Sequence, residues 1–163
     1  MLDARSLILK YRSKGVLIDT NLLVLLLVGT VNKQRIPKFK RTAAFEIEDY
    51  ELLVRLIEWF GQVLATPHVL AQVSDLTDLY GNELDAVRIL FKNLVRQIEE
   101  RFDASPIVVD DPLFMRLGLT DAAIATVCAQ GNLVLTADLP LQVALQERGF
   151  DALNFNHIRA ISW

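Results

Sequence analysis

Short runs of consecutive apolar residues are the feature that most constrains how this chain can fold. The segments VLI at 16–18 and LVL at 133–135 are apolar at every position, with no alternation of apolar and polar residues. Continuous runs of this length predict strands that are buried on both faces. Such strands are typical of parallel sheets with helices on both sides, because a sheet with one solvated face shows alternation. We predict two further short strands, over 62–65 and 152–155.

Between these runs, apolar residues recur at helical spacing. Gly29, Gly61 and Gly131 each follow such a segment, at a position where glycine commonly ends a helix. Thr66 and Pro67 favour the start of another helix, because threonine caps a helix and proline is tolerated in its first position. We predict helices over approximately 20–28, 47–60, 66–80, 82–98, 120–130 and 140–148, with Asn82 and Thr120 as caps of two of them.

The alternation of strands and helices predicts an α/β fold, in which a mostly parallel sheet is flanked by helices in a single three-layer domain. This domain spans 1–163, with 1–14 as an N-terminal extension and 30–46 as a basic loop or insertion. Residues 103–118 are ambiguous, since 107–109 is apolar enough for a strand but Pro106 and Pro112 cut it short.

Charge and cysteine content exclude several classes of protein. The 163 residues carry a formal net charge of −3, so the chain is not an electrostatically driven nucleic-acid coat. Cys128 is the only cysteine, which excludes an internal disulfide and suits a reducing compartment. The longest apolar run, at 22–28, is far shorter than the roughly 20 residues of a membrane-spanning helix. We therefore expect a cytoplasmic protein with no membrane partner.

Three aspartates are candidates for one site. Asp19 directly follows the first predicted strand, and Asp138 comes three residues after the 133–135 strand; Asp121 opens a predicted helix. Each alone has a structural explanation as a turn or helix-start residue. At one edge of a parallel sheet, however, they would form an anionic cluster that a hard divalent cation neutralises. We therefore predict a Mg²⁺ or Mn²⁺ site, whose chemistry is activation of water toward a phosphodiester.

Four segments that contain these aspartates or lie between them resemble the ordered motifs of PIN domains. They are GVLIDTN at 15–21, TPHVLAQVS at 66–74, LGLTDAAI at 117–124 and LVLTAD at 133–138. The resemblance extends from about residue 15 to 158. It implies a PIN-like fold and a metal-dependent ribonuclease that hydrolyses RNA, and it admits a toxin-like role with an antitoxin-like protein partner, as well as a homodimer.

The resemblance also implies roles for individual residues. Asp19, Asp121 and Asp138 would hold the metal directly or through water. Asn21 and Thr136 would orient these ligands or a bound water.

One position departs from the PIN pattern, because Gln72 stands where these proteins usually carry Glu. Glutamine offers a carbonyl oxygen but cannot carry charge or accept a proton. Gln72 would then only help to place the attacking water, and Asp75, three residues on, would reach toward the site or be a solvated carboxylate. Two interpretations follow: a nuclease, or a catalytically weakened module that binds RNA or a protein partner.

A basic segment is the predicted contact for the RNA backbone. It contains five basic residues and no acidic one, and Phe39 within it would stack on an unpaired base. The alternative is a solvated loop. The five residues are Lys33, Arg35, Lys38, Lys40 and Arg41.

A different enzymatic interpretation is a phosphotransfer or phosphatase domain built around Asp19. Asn21 disfavours it, because phosphatases that resemble haloacid dehalogenases need a second aspartate at that place.

Overall fold

A computed structural model describes residues 3–161 and has an α/β fold, with one five-stranded, all-parallel sheet flanked by helices. The strands are β1 (Val16–Ile18), β2 (Val63–Ala65), β3 (Glu99–Glu100), β4 (Leu133–Thr136) and β5 (Ala152–Asn154). The helices are α1 (Ala4–Tyr11), α2 (Thr20–Val31), α3 (Ile47–Phe60), α4 (Pro67–Leu76), α5 (Gly81–Gln97), α6 (Ser105–Val109), α7 (Leu113–Leu117), α8 (Leu119–Cys128), α9 (Leu139–Glu147) and α10 (Phe155–Ile161), with a 3₁₀ helix at Lys33–Lys38.

The strand order is β3-β2-β1-β4-β5, and every neighbouring pair is parallel. Every residue of the central strands β1 and β4 is buried, which confirms the predicted strands. The chain builds outward from β1 to β3 and then returns to the other side of β1 with β4. The order therefore reverses between β1 and β4, where α/β sheets open a crevice at the carboxyl ends of the strands.

The register of these two strands determines which polar residues meet at the crevice. Ile18 pairs with Leu135, so the residues that follow them, Asp19 and Thr136, are neighbours. The backbone N–H of Asp19 also donates to the carbonyl of Leu135, at 3.2 Å. The parallel pairing therefore continues to the point where the chain turns into α2 and α9.

Two predicted helix boundaries are confirmed in detail. Helix α3 has the predicted limits and ends at Gly61, which adopts the left-handed conformation with φ of 67°. At the start of α4, the Thr66 hydroxyl accepts from the backbone N–H of Val69, and Pro67 occupies the first turn. The side-chain cap satisfies one of the N–H groups that a helix start leaves free.

The predicted end of α2 at Gly29 is wrong, because the helix continues to Val31. Gly29 is buried against α3, and a Cβ at this position would lie 2.2 Å from the ring of Tyr50. This glycine therefore allows two helices to approach closely and does not end one.

The prediction of a loop over 30–46 is also wrong in part, since the 3₁₀ helix lies within it. Ile36 is fully buried and Phe39 is only 8% exposed. Phe39 therefore cannot stack on a base, as the sequence suggested, because its ring belongs to the hydrophobic core.

Two predicted caps are corrected as well. Helix α5 begins at Gly81 with Tyr80 as its N-cap, so Asn82 lies inside the first turn. Helix α8 begins at Leu119, so its N-cap is Gly118 and not Thr120. Gly118 has a φ of 88°, which glycine adopts much more readily than other residues. In both cases a glycine conformation sets the boundary. The ambiguous segment forms two short helices, α6 and α7, and the sequence did not predict the polar strand β3.

The N-terminal residues pack against the rest of the chain. Helix α1 contributes Leu7 and Tyr11 to the hydrophobic core, and Lys10 and Tyr11 both donate to the carboxylate of Asp151 at 2.7 Å. Over the described residues, we find no helix that is both long and apolar enough to span a membrane.

Candidate active site

A pocket of about 380 Å³ lies at the carboxyl ends of β1 and β4, where the strand order reverses. All three aspartates that the sequence selected line it, although 119 positions separate the first from the last along the chain. The polar lining residues are Asp19, Thr20, Asn21, Gln72, Thr120, Asp121 and Asp138.

Asp19 is buried at the N-terminus of α2 and is held by three donors. One carboxylate oxygen accepts from the N–H of Leu22 at 3.1 Å, and the other accepts from the Thr136 hydroxyl and from the N–H of Ala137 at 3.0 Å. Burial nevertheless raises the pKa of Asp19 to about 6, since these hydrogen bonds offset only part of the desolvation.

Thr136 connects two of the aspartates. Its buried hydroxyl donates to Asp19 and accepts from the backbone N–H of Asp138 at 2.9 Å. Asp138 in turn caps α9, where its carboxylate accepts from the N–H of Leu141 at 2.9 Å. Thr136 therefore links the chain segments that follow β1 and β4, and its role in orienting metal ligands or a bound water stays a prediction.

Asp121 lies in the first turn of α8 and differs from the other two. Its carboxylate accepts no hydrogen bond from residues 3–161. Burial, followed by the negative charges of Asp138 and Asp19, raises the pKa of Asp121 to about 6. Asp121 is thus the carboxylate whose charge the surrounding residues stabilise least.

No lysine, arginine or histidine among the described residues lines the pocket. The excess negative charge and the oxygen donors fit a hard divalent cation. However, within 3–161 no group of three or more histidine, cysteine, aspartate or glutamate side chains is arranged closely enough to hold an ion together. The pocket therefore fits such a cation in charge and donor type, with fewer than three of these carboxylates as direct ligands in this arrangement.

Gln72 lines the pocket from α4, and its side-chain oxygen accepts from the hydroxyl of Thr20 at 2.9 Å. Asn21, at the start of α2, also lies in the lining, and its role in orienting ligands or a bound water stays a prediction. Asp75 does not line the pocket, because its side chain is exposed to solvent. Leu76, four residues after Gln72, lines the pocket from α4 instead. The sequence argument missed two polar lining residues, Thr20 and Thr120. Thr20 lies between Asp19 and Asn21, and Thr120 directly precedes Asp121, which was the available signal in each case.

The five basic residues of the segment 33–41 do not form a uniform cationic surface. Three of them are neutralised by acidic partners distant in sequence, and the other two make no ion pair within residues 3–161. The pairs are Lys33 with Glu51 at 3.0 Å, Arg35 with Glu83 at 2.8 Å and Lys40 with Asp78 at 2.9 Å; the unpaired residues are Lys38 and Arg41.

Comparison with known proteins identified no relative of this chain. No protein-family model matches the chain, and no curated protein matches it.

Proposed function

We propose that the protein is a metal-dependent endoribonuclease that hydrolyses RNA at the acidic pocket. One observation carries the proposal: three aspartates from separate parts of the chain line one crevice, and no basic side chain of residues 3–161 lines it with them. The charge of Asp121 has no evident structural purpose, because it caps nothing and burial and the repulsion of the other two aspartates raise its pKa. The PIN resemblance of the surrounding motifs agrees with the proposal and stays a prediction.

The roles of the residues follow from their surroundings. Asp121 and Asp138 face the pocket with the fewest internal donors, so they are the first candidates to hold a cation, with Asp19 acting through a bound water. Thr136 keeps the Asp19 carboxylate oriented. A Mg²⁺ or Mn²⁺ ion bound there would activate water and stabilise the charge that develops on a phosphodiester.

Asp121→Asn is the most informative test, because it removes a charge without removing a hydrogen bond that the fold uses. We expect Mn²⁺-dependent cleavage of single-stranded RNA to fall at least about 100-fold. Asp111→Asn is a matched control, since Asp111 is paired with Arg148 away from the pocket. Cleavage by Asp121→Asn at the parent rate would contradict the proposal.

A second candidate function is an RNA- or protein-binding module with little catalysis. The hydrogen bond between Thr20 and Gln72 favours it, because the position that is usually Glu in PIN domains is an uncharged residue engaged with a neighbour. Gln72→Glu distinguishes the two candidates. Metal-dependent cleavage in Gln72→Glu, and none in the parent, would show that the natural protein does not work as a nuclease.

A further inference from the structure

A second pocket, of about 370 Å³, lies where the 3₁₀ helix meets the start of α5. Its most unusual lining residue is Tyr80, which is 86% exposed. Aromatic side chains usually bury most of their surface, so an aromatic ring this open to solvent has no role in the core. Lys38, Asn82 and Glu83 lie in the same pocket.

The charges around this pocket favour an anion. The carboxylate of Glu83 accepts hydrogen bonds from the side-chain amide of Asn32 at 2.9 Å and from Arg35 at 2.8 Å. These hydrogen bonds keep the pKa of Glu83 below its usual value. Arg35 and Glu83 therefore neutralise each other, which leaves Lys38 as the pocket's uncompensated charge.

The neighbouring residues add to this positive charge. Asp78 pairs with Lys40, and the charge of Arg41 also contributes to lowering the pKa of Asp78. The segments 35–41 and 77–83 together hold four basic and two acidic residues, in a chain whose net charge is −3. Because Glu83 and Asp78 each neutralise one of these basic residues, the two segments keep a net charge of +2, which comes from Lys38 and Arg41.

The second pocket is next to the acidic one along the chain. Leu76 lines the acidic pocket, and Leu79 lines the second pocket only three residues later. Their Cα atoms are thus at most about 11 Å apart. The walls of the two pockets therefore come close to each other at this point of the chain.

We propose that the Tyr80 pocket binds an unpaired nucleotide of single-stranded RNA. The base stacks on the Tyr80 ring, and Lys38 contacts a backbone phosphate. This inference rests on the proposed function for the identity of the RNA as substrate, and it places the cleaved phosphodiester a short distance along the strand, in the acidic pocket.

Two pairs of variants test the inference through RNA binding in EDTA, measured by fluorescence anisotropy with a labelled single-stranded oligoribonucleotide. Tyr80→Ala should weaken binding about 5- to 100-fold, whereas Tyr80→Phe, which keeps the stacking face, should bind within about twofold of the parent. Phe102→Ala removes another exposed aromatic ring, 62% exposed and outside the pocket, and should leave binding unchanged.

Lys38→Ala should weaken binding and reduce the slope of log affinity against log salt by about 0.7, as expected for one lost phosphate contact. Lys92→Ala, which removes an exposed lysine farther along α5, should not change this slope.

The outcomes separate this inference from the proposed function. If the parent binds RNA through Tyr80 but does not cleave it with Mn²⁺, the inference is supported and the nuclease proposal fails. If the parent cleaves RNA and Tyr80→Ala binds and cleaves it equally well, the inference is overturned and the nuclease proposal stands. Failure of the parent to bind single-stranded RNA would also overturn the inference.

Discussion

The two ends of the sheet surround their carboxylates in opposite ways. At the amino end of β5, Asp151 accepts from Lys10 and Tyr11, and Asp111 forms two hydrogen bonds with Arg148, in the turn that leads into this strand. Burial opposes ionisation of both aspartates, but these hydrogen bonds and charges bring the pKa of each below its usual value.

At the carboxyl ends of β1 and β4 the balance is reversed, and the pKa values of Asp19 and Asp121 rise to about 6. This difference indicates that carboxylates which only connect helices and strands, such as Asp151 and Asp111, have basic partners. In the acidic pocket the charge stays uncompensated. A proton or a bound cation therefore remains as the means of neutralising it.

The largest expected effect is on the pH dependence of stability. A carboxyl with a raised pKa contributes stability that is complete below the unfolded value of about 4 and is lost as the pH rises through about 6. A shift of this size at Asp19 corresponds to about 3 kcal/mol. Because part of this change falls below pH 4.5, we expect Asp19 alone to lower the free energy of unfolding in EDTA by about 2 kcal/mol between pH 4.5 and 7.5, and Asp121 adds to the fall. Urea denaturation at a series of pH values measures it.

The carboxylates at the other end of the sheet act in the opposite direction, since lowered pKa values add stability above about pH 4 that is lost on further acidification. Stability that stays constant or rises between pH 4.5 and 7.5 would show that Asp19 and Asp121 ionise as ordinary surface carboxyls. The comparison between the two ends of the sheet would then fail.

A smaller effect is expected from Asp111→Asn, which removes the ion pair between Asp111 and Arg148 near the amino end of β5. It removes the charge that Arg148 binds at 2.8 and 2.9 Å, so we expect a loss of about 1–3 kcal/mol in the free energy of unfolding at pH 7. Urea denaturation measures the loss, and RNA cleavage should change by less than about twofold below the unfolding transition. A stability equal to that of the parent would mean that this ion pair is not structural.

The smallest effect has the opposite sign. Asp121→Asn should stabilise the metal-free protein by about 1 kcal/mol at pH 7.5, because it removes a buried charge that two other aspartates repel. The same urea experiment measures it, and the pH dependence should become shallower. Destabilisation by Asp121→Asn would indicate that the charge has a compensating partner.

The sequence predicted much of the framework because apolar runs and helical spacing are local properties. It located β1, β4 and α3, and it placed Asp19 and Asp138 at strand ends that the topology brings together. Errors arose where distant packing decides the outcome. Gly29 lies inside a helix because Tyr50 packs on it, a contact between residues 21 positions apart.

The ion pairs of the basic segment could not be predicted from local sequence patterns either. The segment 33–41 contains only basic charges, but three of them pair with acidic residues of α3, of α5 and of the segment that follows α4. Asp75 was selected by a spacing of three from Gln72, whereas the helix brings position 76 to the pocket. Both errors arose because the direction in which a side chain points depends on the packing of the whole fold, which local sequence patterns do not show.

Titration of Mn²⁺ into the parent protein and into Asp121→Asn, followed by isothermal calorimetry at pH 7.5, tests the central claim most directly. We predict saturable binding to the parent and to Asp111→Asn, with binding lost or weakened at least about tenfold in Asp121→Asn. No binding to the parent, or equal binding to Asp121→Asn, would contradict the claim that the uncompensated aspartates form a cation site.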